Sequence, residues 1–189
     1  MATYYQARVS ADELAQSRED SEKEAKKQAA RIAIWSENGD GDFPVVRIMN
    51  RSPDPVTSII AGIIFEKVLS DGRRKETGMY VLPLPSLSPC SVISFTPTNL
   101  WYRINGEKGG RVYAFSRRSR WDVAIHAIGF ADANGVDWVR TPLGLAAADS
   151  REGSTWARAF DADSVRILGL KQQPIRSTAS GCDNGETLS

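Results

Sequence analysis

The chain has 189 residues, room for one ordinary domain with appendages. A hydrophobic share of 41% suffices for a core, and 25% charged residues is ordinary for a soluble protein. The formal net charge of +1 excludes a global pull towards nucleic acid or membrane, so any such binding has to come from a local patch.

The start, Met1 to Arg8, lacks the apolar core of a signal peptide. Ser10-Ala11-Asp12-Glu13 reads as a capping box that opens a helix continuing to about Ala30. Glu19–Lys23 and Glu22–Lys26 have the favourable four-residue order. Leu14 is the only large aliphatic side chain before Ile32, so the helix lacks a coiled-coil seam and reads as a lead-in resting lightly on the domain. Residues 1–30 are therefore taken as lead and helix.

Residues 31–145 carry the β pattern. Arg31–Glu37 is a first strand, and Asn38 to Asp42 a turn without the ligands of a calcium loop. Phe43–Met49 is a second strand, and Asn50 to Pro55 turns the chain. Val56–Leu69 has apolar residues on both parities, which predicts a central strand. A polar turn from Ser70 to Thr77 and a short strand, Met79–Leu84, lead into a proline-rich passage. Ser91–Thr96 resumes as a strand, with Cys90 a small buried side chain at its start. Cys90 and Cys182 are the only cysteines, far apart and in different contexts. They form neither a disulfide framework nor a metal spacing, and a reducing compartment is the simpler reading. The longest apolar run, Ile59 to Phe65, is far short of the roughly 20 residues that span a bilayer.

Residues 101–121 interleave aromatic and basic groups: Trp101, Tyr102, Tyr113 and Phe115 among Arg103, Lys108, Arg111, Arg117, Arg118 and Arg120. Such a mixture can bind single-stranded nucleic acid by stacking and phosphate contact. The alternating parity of Tyr113 and Phe115 favours the other reading, a hairpin with its aromatics in the core and its arginines in water.

Trp121 to Leu145 is the best-patterned stretch. Ile128 and Phe130 share a face, Asp132-Ala133-Asn134-Gly135 supplies a tight turn, and Val136, Trp138 and Arg140 return on one face. Trp138 fills a core if its indole N–H finds a partner. The string Phe130, Asp132, Gly135, Trp138, Arg140, Gly144, Leu145 resembles the last hairpin of an uncharacterised actinobacterial β-sandwich family. Ala29 to Trp35 and the turn Asn50, Ser52, Pro55, Val56 are similar to other parts of that family, the turn being one residue longer than the family pattern. The resemblance implies an immunoglobulin-like sandwich and no assigned activity. Members often carry a membrane helix upstream; none is present here, and a cytoplasmic protein is expected.

Residues 146–170 are read as a docking segment that places Trp156 and Phe160 on one side of a helical turn, with a possible short strand at Val165–Leu170. Residues 171–189 are rich in small and polar groups and are expected to be disordered, with Cys182 an exposed thiol.

Catalytic equipment is sparse. The single His126 sits mid-strand with no nucleophile motif nearby, there is no phosphate-cradling glycine loop, and no metal or cofactor site is expected. The fold class expected is mainly β: an antiparallel immunoglobulin-like sandwich of about seven or eight strands behind a charged helix. The function expected is a non-enzymatic protein-interaction or scaffolding module. Its binding residues are Trp101, Tyr102, Arg103, Arg111, Arg117, Arg118, Arg120, Trp156 and Phe160. A nucleic-acid-associated protein using residues 101–121 and a structural subunit of a larger assembly are the alternatives.

Overall fold

Residues 2–29 contain neither glycine nor proline, and helix α1 runs without interruption over Ala2–Ala29. The capping-box expectation at Ser10 fails for this reason. A cap needs a non-helical residue at its own position, and the good helix formers Ala2, Gln6, Ala7 and Arg8 carry the helix past it. The computed structural model describes residues 2–39, 43–107, 110–160 and 165–182; the side chains of residues 2–12, 76 and 156–160 fall outside the description. The strands in chain order are β1 (Ile32–Asn38), β2 (Pro44–Asn50), β3 (Val56–Val68), β4 (Arg74–Leu87), β5 (Ser91–Phe95), β6 (Leu100–Ile104), β7 (Tyr113–Ala114), β8 (Arg120–Ala131), β9 (Asp137–Thr141), β10 (Gly144–Ala147), β11 (Arg166–Leu170) and β12 (Ile175–Thr178). A second helix, α2 (Arg151–Phe160), lies between β10 and β11.

The protein is thus mainly β with an N-terminal helix. Among the described residues the strands form a four-stranded sheet, β1-β2-β5-β12, and an eight-stranded sheet, β10-β9-β8-β3-β4-β11-β6-β7. Every pairing is antiparallel except β11 with β4, which is parallel. The two sheets share one core: Ile32, Ile48, Ile93 and Phe95 from the smaller meet Ile63, Phe65, Leu82, Ile128 and Leu168 from the larger.

Strand β3 is central, flanked by β4 and β8, as its apolar parities imply. Only one parity is the core face. Ile59, Ala61, Ile63 and Phe65 are almost fully buried, whereas Ile60 on the other parity is 37% exposed. Strand β4 begins at Arg74, inside the stretch expected to be a turn, and continues through Pro83 and Pro85. It can do so because β11 pairs with β4 only at Tyr80 and Val81, short of the prolines, so that their missing N–H groups interrupt no ladder on that side.

The hairpin of β8 and β9 is held by one buried carboxylate. Asp132 Oδ1 accepts from the amides of Asn134 and Val136, each at 2.9 Å, and Oδ2 accepts from Trp138 Nε1 at 2.9 Å. Gly135 takes φ 77°, which the turn requires and a side chain would resist. Arg140, further along β9, donates to the Ala30 carbonyl at 2.8 Å, placing a cation at the C-terminal end of α1. Among the described side chains of α1, those of the last turns also attach it: Ala25 and Ala29 are buried and Gln28 Nε2 donates to Asp54 Oδ2 at 2.9 Å. Residues 13–24 of the helix are exposed throughout.

A second polar knot ties the turn after β2 to the end of β4. Asn50 is fully buried; its amide donates to the carbonyls of Asp54, Leu87 and Ser88, and its Oδ1 accepts from the Ser52 amide at 2.7 Å. The hydrogen bonds therefore give Asp132, Trp138, Arg140, Asn50 and Ser52 roles within the fold.

Three expectations about the end of the chain are corrected. Residues 146–170 are not a segment appended to a finished domain: β11 lies in the middle of the larger sheet, between β4 and β6, and Leu168 is 1% exposed. Residues after Lys171 are not disordered as a whole, since β12 pairs with β5 along the edge of the smaller sheet; residues 183–189 lie outside the described residues. Cys182 is not a free thiol, because it forms a disulfide with Cys90, their Cα atoms 5.4 Å apart. The pairing also removes the argument for a reducing compartment that rested on unpaired cysteines. Among the described residues no helix is long and apolar enough to cross a membrane.

Candidate functional site

The interleaved aromatics and arginines of residues 101–121 part company in the fold. Tyr102, Tyr113, Phe115 and Trp121 join Phe65 and Tyr80 in one ring cluster, with centroids 4.5–5.5 Å apart from neighbour to neighbour. Phe115 is 4% exposed and Trp121 9%. Tyr113 donates to Glu107 Oε1 at 2.8 Å, and this bond holds its phenol above the ordinary tyrosine range. Burial does the same for Tyr80. Both phenols are therefore neutral at pH 7. Trp101 lies on the opposite side of β6 from Tyr102, half-buried, its indole against Gly169 of β11, where an added Cβ would meet the ring. Arg103 and Arg111 are exposed, and Arg111 reaches the Tyr113 phenol at the edge of the ring cluster.

The aromatics position the remaining arginines. Phe115 and Trp121, 5.2 Å apart edge to face, pin both ends of a short loop. Trp121 Nε1 donates to the Ser116 carbonyl at 3.2 Å, and the Arg118 amide donates to Ser116 Oγ at 3.2 Å. Arg117, Arg118 and Arg120 are thereby held on the outside of a loop whose base is buried. Facing it is the β3–β4 turn, closed by bonds from the Leu69 amide to the Arg73 carbonyl (2.8 Å) and from the Gly72 amide to the Leu69 carbonyl (2.9 Å).

Between the loop and the turn lies an open groove of about 610 Å³. Lys67, Arg118 and Arg120 line it, with Ser70 and Ser119 on the rim and half-buried Val68 and Leu69 as its apolar part. No acidic side chain lines it. Two neighbouring cations are already engaged: Arg73 with Asp71 at 2.6 Å, and Arg74 with Asp122 at 2.9 Å. Among the described residues Lys67, Arg118 and Arg120 form no ion pair. Their juxtaposition follows from strand order, since β3 pairs with β8 and brings Val68 opposite Arg120 and Lys67 opposite Trp121.

Of the nine residues anticipated as binding groups, the groove takes Arg118 and Arg120, with Arg117 adjacent in the loop but not lining it. Trp156 and Phe160 belong to α2, but their side chains lie outside the described residues. Lys67 was missed. Its signal is its place near the exposed end of a central strand, one residue before the last of β3 and shortly ahead of the Asp71-Gly72 turn.

His126 is half-buried on β8, and burial pushes its imidazole below the ordinary histidine value. Among the described residues, no three His, Cys, Asp or Glu side chains are grouped so as to hold a metal ion. Comparison with protein-family models, curated proteins and solved structures finds no match.

Proposed function

We propose that this chain is a non-enzymatic protein-interaction module, an immunoglobulin-like sandwich of the cytoplasm that receives an acidic segment of a partner protein in the groove of Lys67, Arg118 and Arg120. The observation that carries the reading is three cations that form no ion pair among the described residues, around a groove lined by no acidic side chain. Guanidinium groups recognise carboxylates in a bidentate manner, and a cation-only groove speeds encounter with an anionic partner. Val68 and Leu69 favour a peptide with aliphatic side chains over a sugar–phosphate backbone. Binding of single-stranded nucleic acid by stacking is disfavoured, because Tyr102, Tyr113, Phe115 and Trp121 are spent on one another.

A labelled peptide of alternating glutamate and leucine, titrated by fluorescence anisotropy, tests the proposal. Affinity should fall several-fold between low salt and about 0.3 M, as the Debye length shrinks below roughly 10 Å. Arg118→Glu should weaken binding about tenfold or more. Tighter binding of a single-stranded oligonucleotide than of the peptide would transfer the groove to the nucleic-acid reading.

The subunit reading is favoured by α1, whose residues 13–24 are exposed. An unpacked helix is marginal in water and gains most from a partner surface.

A further inference from the structure

The disulfide joins two parts of the fold that are held very differently. Cys90 is fixed from several sides. Its amide donates to the Ser52 carbonyl at 3.3 Å, its carbonyl accepts from the Ala179 amide at 2.9 Å, and the neighbouring Leu87 and Ser88 carbonyls are bound by Asn50. Its φ of 50° is left-handed, a conformation that a residue with a Cβ keeps only where its surroundings impose it.

Cys182 is at the far end of a lightly held arm. Strand β12 is four residues long, and all four are exposed, Ile175 at 74%. Besides the disulfide, its attachments are the short ladder to β5, the bond from the Ala179 amide to the Cys90 carbonyl, and the burial of Ala179, which is 3% exposed against Met49 and Val92. Behind the arm the chain is anchored again at Lys171, whose amide donates to the Asn99 carbonyl at 2.8 Å and whose Nζ donates to the Thr98 carbonyl at 3.0 Å. A hinge point therefore precedes residues 172–182. The arm also forms one wall of a groove of about 490 Å³ on the outer face of the smaller sheet, where Ser177, Thr178 and Ser180 face Trp35, Met49 and Arg51.

We propose that Cys90–Cys182 is a thiol-operated latch. A dithiol reductant opens it and frees residues 172–182 from the edge of β5, so that one wall of this outer groove is removed and the backbone of Ser91–Ser94 becomes a free sheet edge. The chemistry is thiol–disulfide exchange. One thiolate of the reductant attacks Cys182 Sγ, the S–S bond breaks, and Cys90 leaves as a thiolate. The second thiolate of the reductant then displaces Cys182 from the mixed disulfide. Two electrons pass to the protein, both cysteines take up protons, and the reductant ends as a cyclic disulfide. Both cysteines are half-buried and neither is fully enclosed. In a reducing cytoplasm the open form is the resting state, and oxidation closes the latch. The freed edge is the kind of surface that accepts an extended strand. The inference does not depend on the basic groove, which lies between other elements.

Hydrogen exchange with mass-spectrometric detection on the full chain tests it, comparing the air-oxidised protein, the same protein in dithiothreitol, and Cys182→Ser. The expected result is a loss of amide protection of about tenfold or more at residues 91–94 and 175–179, with β3, β4 and β8 unchanged. Unchanged protection at 91–94 overturns the latch. Loss spread over all strands also overturns it, because the bond is then a staple of the whole fold. An intact mass showing two free thiols in the air-oxidised protein does so as well. The reductant and the variant reach the open state by separate routes, and the latch requires both to give the same local pattern.

Discussion

Replacing Phe115 by alanine lowers the free energy of unfolding by about 3–5 kcal/mol, the usual loss for a fully packed aromatic. Such a cost is unexpected for a residue immediately after a two-residue strand, in a segment rich in arginine. It follows from burial. Phe115 is 4% exposed, and its ring meets Phe65 at 4.5 Å, Trp121 at 5.2 Å, Tyr102 at 5.3 Å and Tyr80 at 5.5 Å. Truncation leaves a cavity lined by rings from four strands, which cannot all shift to fill it. Arg117→Ala, two residues away and exposed, should change stability by no more than about 0.5 kcal/mol. Urea unfolding followed by tryptophan fluorescence measures both. A loss below about 1 kcal/mol for Phe115→Ala would place that ring outside the core. The substitution should also loosen the loop that presents Arg118 and Arg120, so peptide affinity should fall although no groove cation is touched.

Asp132→Ala should cost about 3 kcal/mol or more, for a different reason. Asp132 is 5% exposed and accepts three hydrogen bonds, two from turn amides and one from the buried Trp138 indole. Alanine removes every acceptor and leaves the donors, and a buried donor without a partner forfeits its hydration for nothing. Asp132→Asn separates the contributions. Its carbonyl can still serve the two amides, but its NH2 would face the indole N–H, donor against donor, so the loss should be intermediate, about 1–3 kcal/mol. Equilibrium urea denaturation of the three proteins gives the ranking. Full stability of the asparagine protein would mean that the indole bond contributes nothing.

These two sites show what can be read from a chain and what cannot. The β8–β9 hairpin is legible because its parts are neighbours. Asp132, Gly135 and Trp138 lie within a few residues, and local turn chemistry dictates both the bend and the need for an indole partner. Strand β3 is legible as central from its length and its apolar parities. The end of the chain is not. Strand β11 has five residues interrupted by Gly169, and β12 has four that are all exposed. The first still reads as a possible short strand at Val165–Leu170, where β11 is found, but neither carries a pattern that names its partners, and β4 to β6 lie far back in the chain. The disulfide is hidden likewise, since 92 residues separate its cysteines and only the β5–β12 pairing brings them together. Ser10 misleads in the other direction, because a capping sequence inside an unbroken helical run caps nothing.

The candidate site divides in the same way. Arg118 and Arg120 stand out in sequence, but so do Arg103 and Arg111, which the fold sends elsewhere. Lys67 precedes Arg118 by half a domain and joins it only because β3 pairs with β8. The aromatic residues belong to the site indirectly, through the loop that they anchor.

The most direct measurement is the affinity of the glutamate–leucine peptide for Lys67→Glu and for Arg103→Glu, at one low salt concentration. Both substitutions reverse one exposed cation, so they change the net charge equally and differ only in where the charge sits. The groove account predicts that Lys67→Glu weakens binding about tenfold or more and that Arg103→Glu leaves it within about twofold of the parent. Equal losses, or the larger loss from Arg103→Glu, would contradict it.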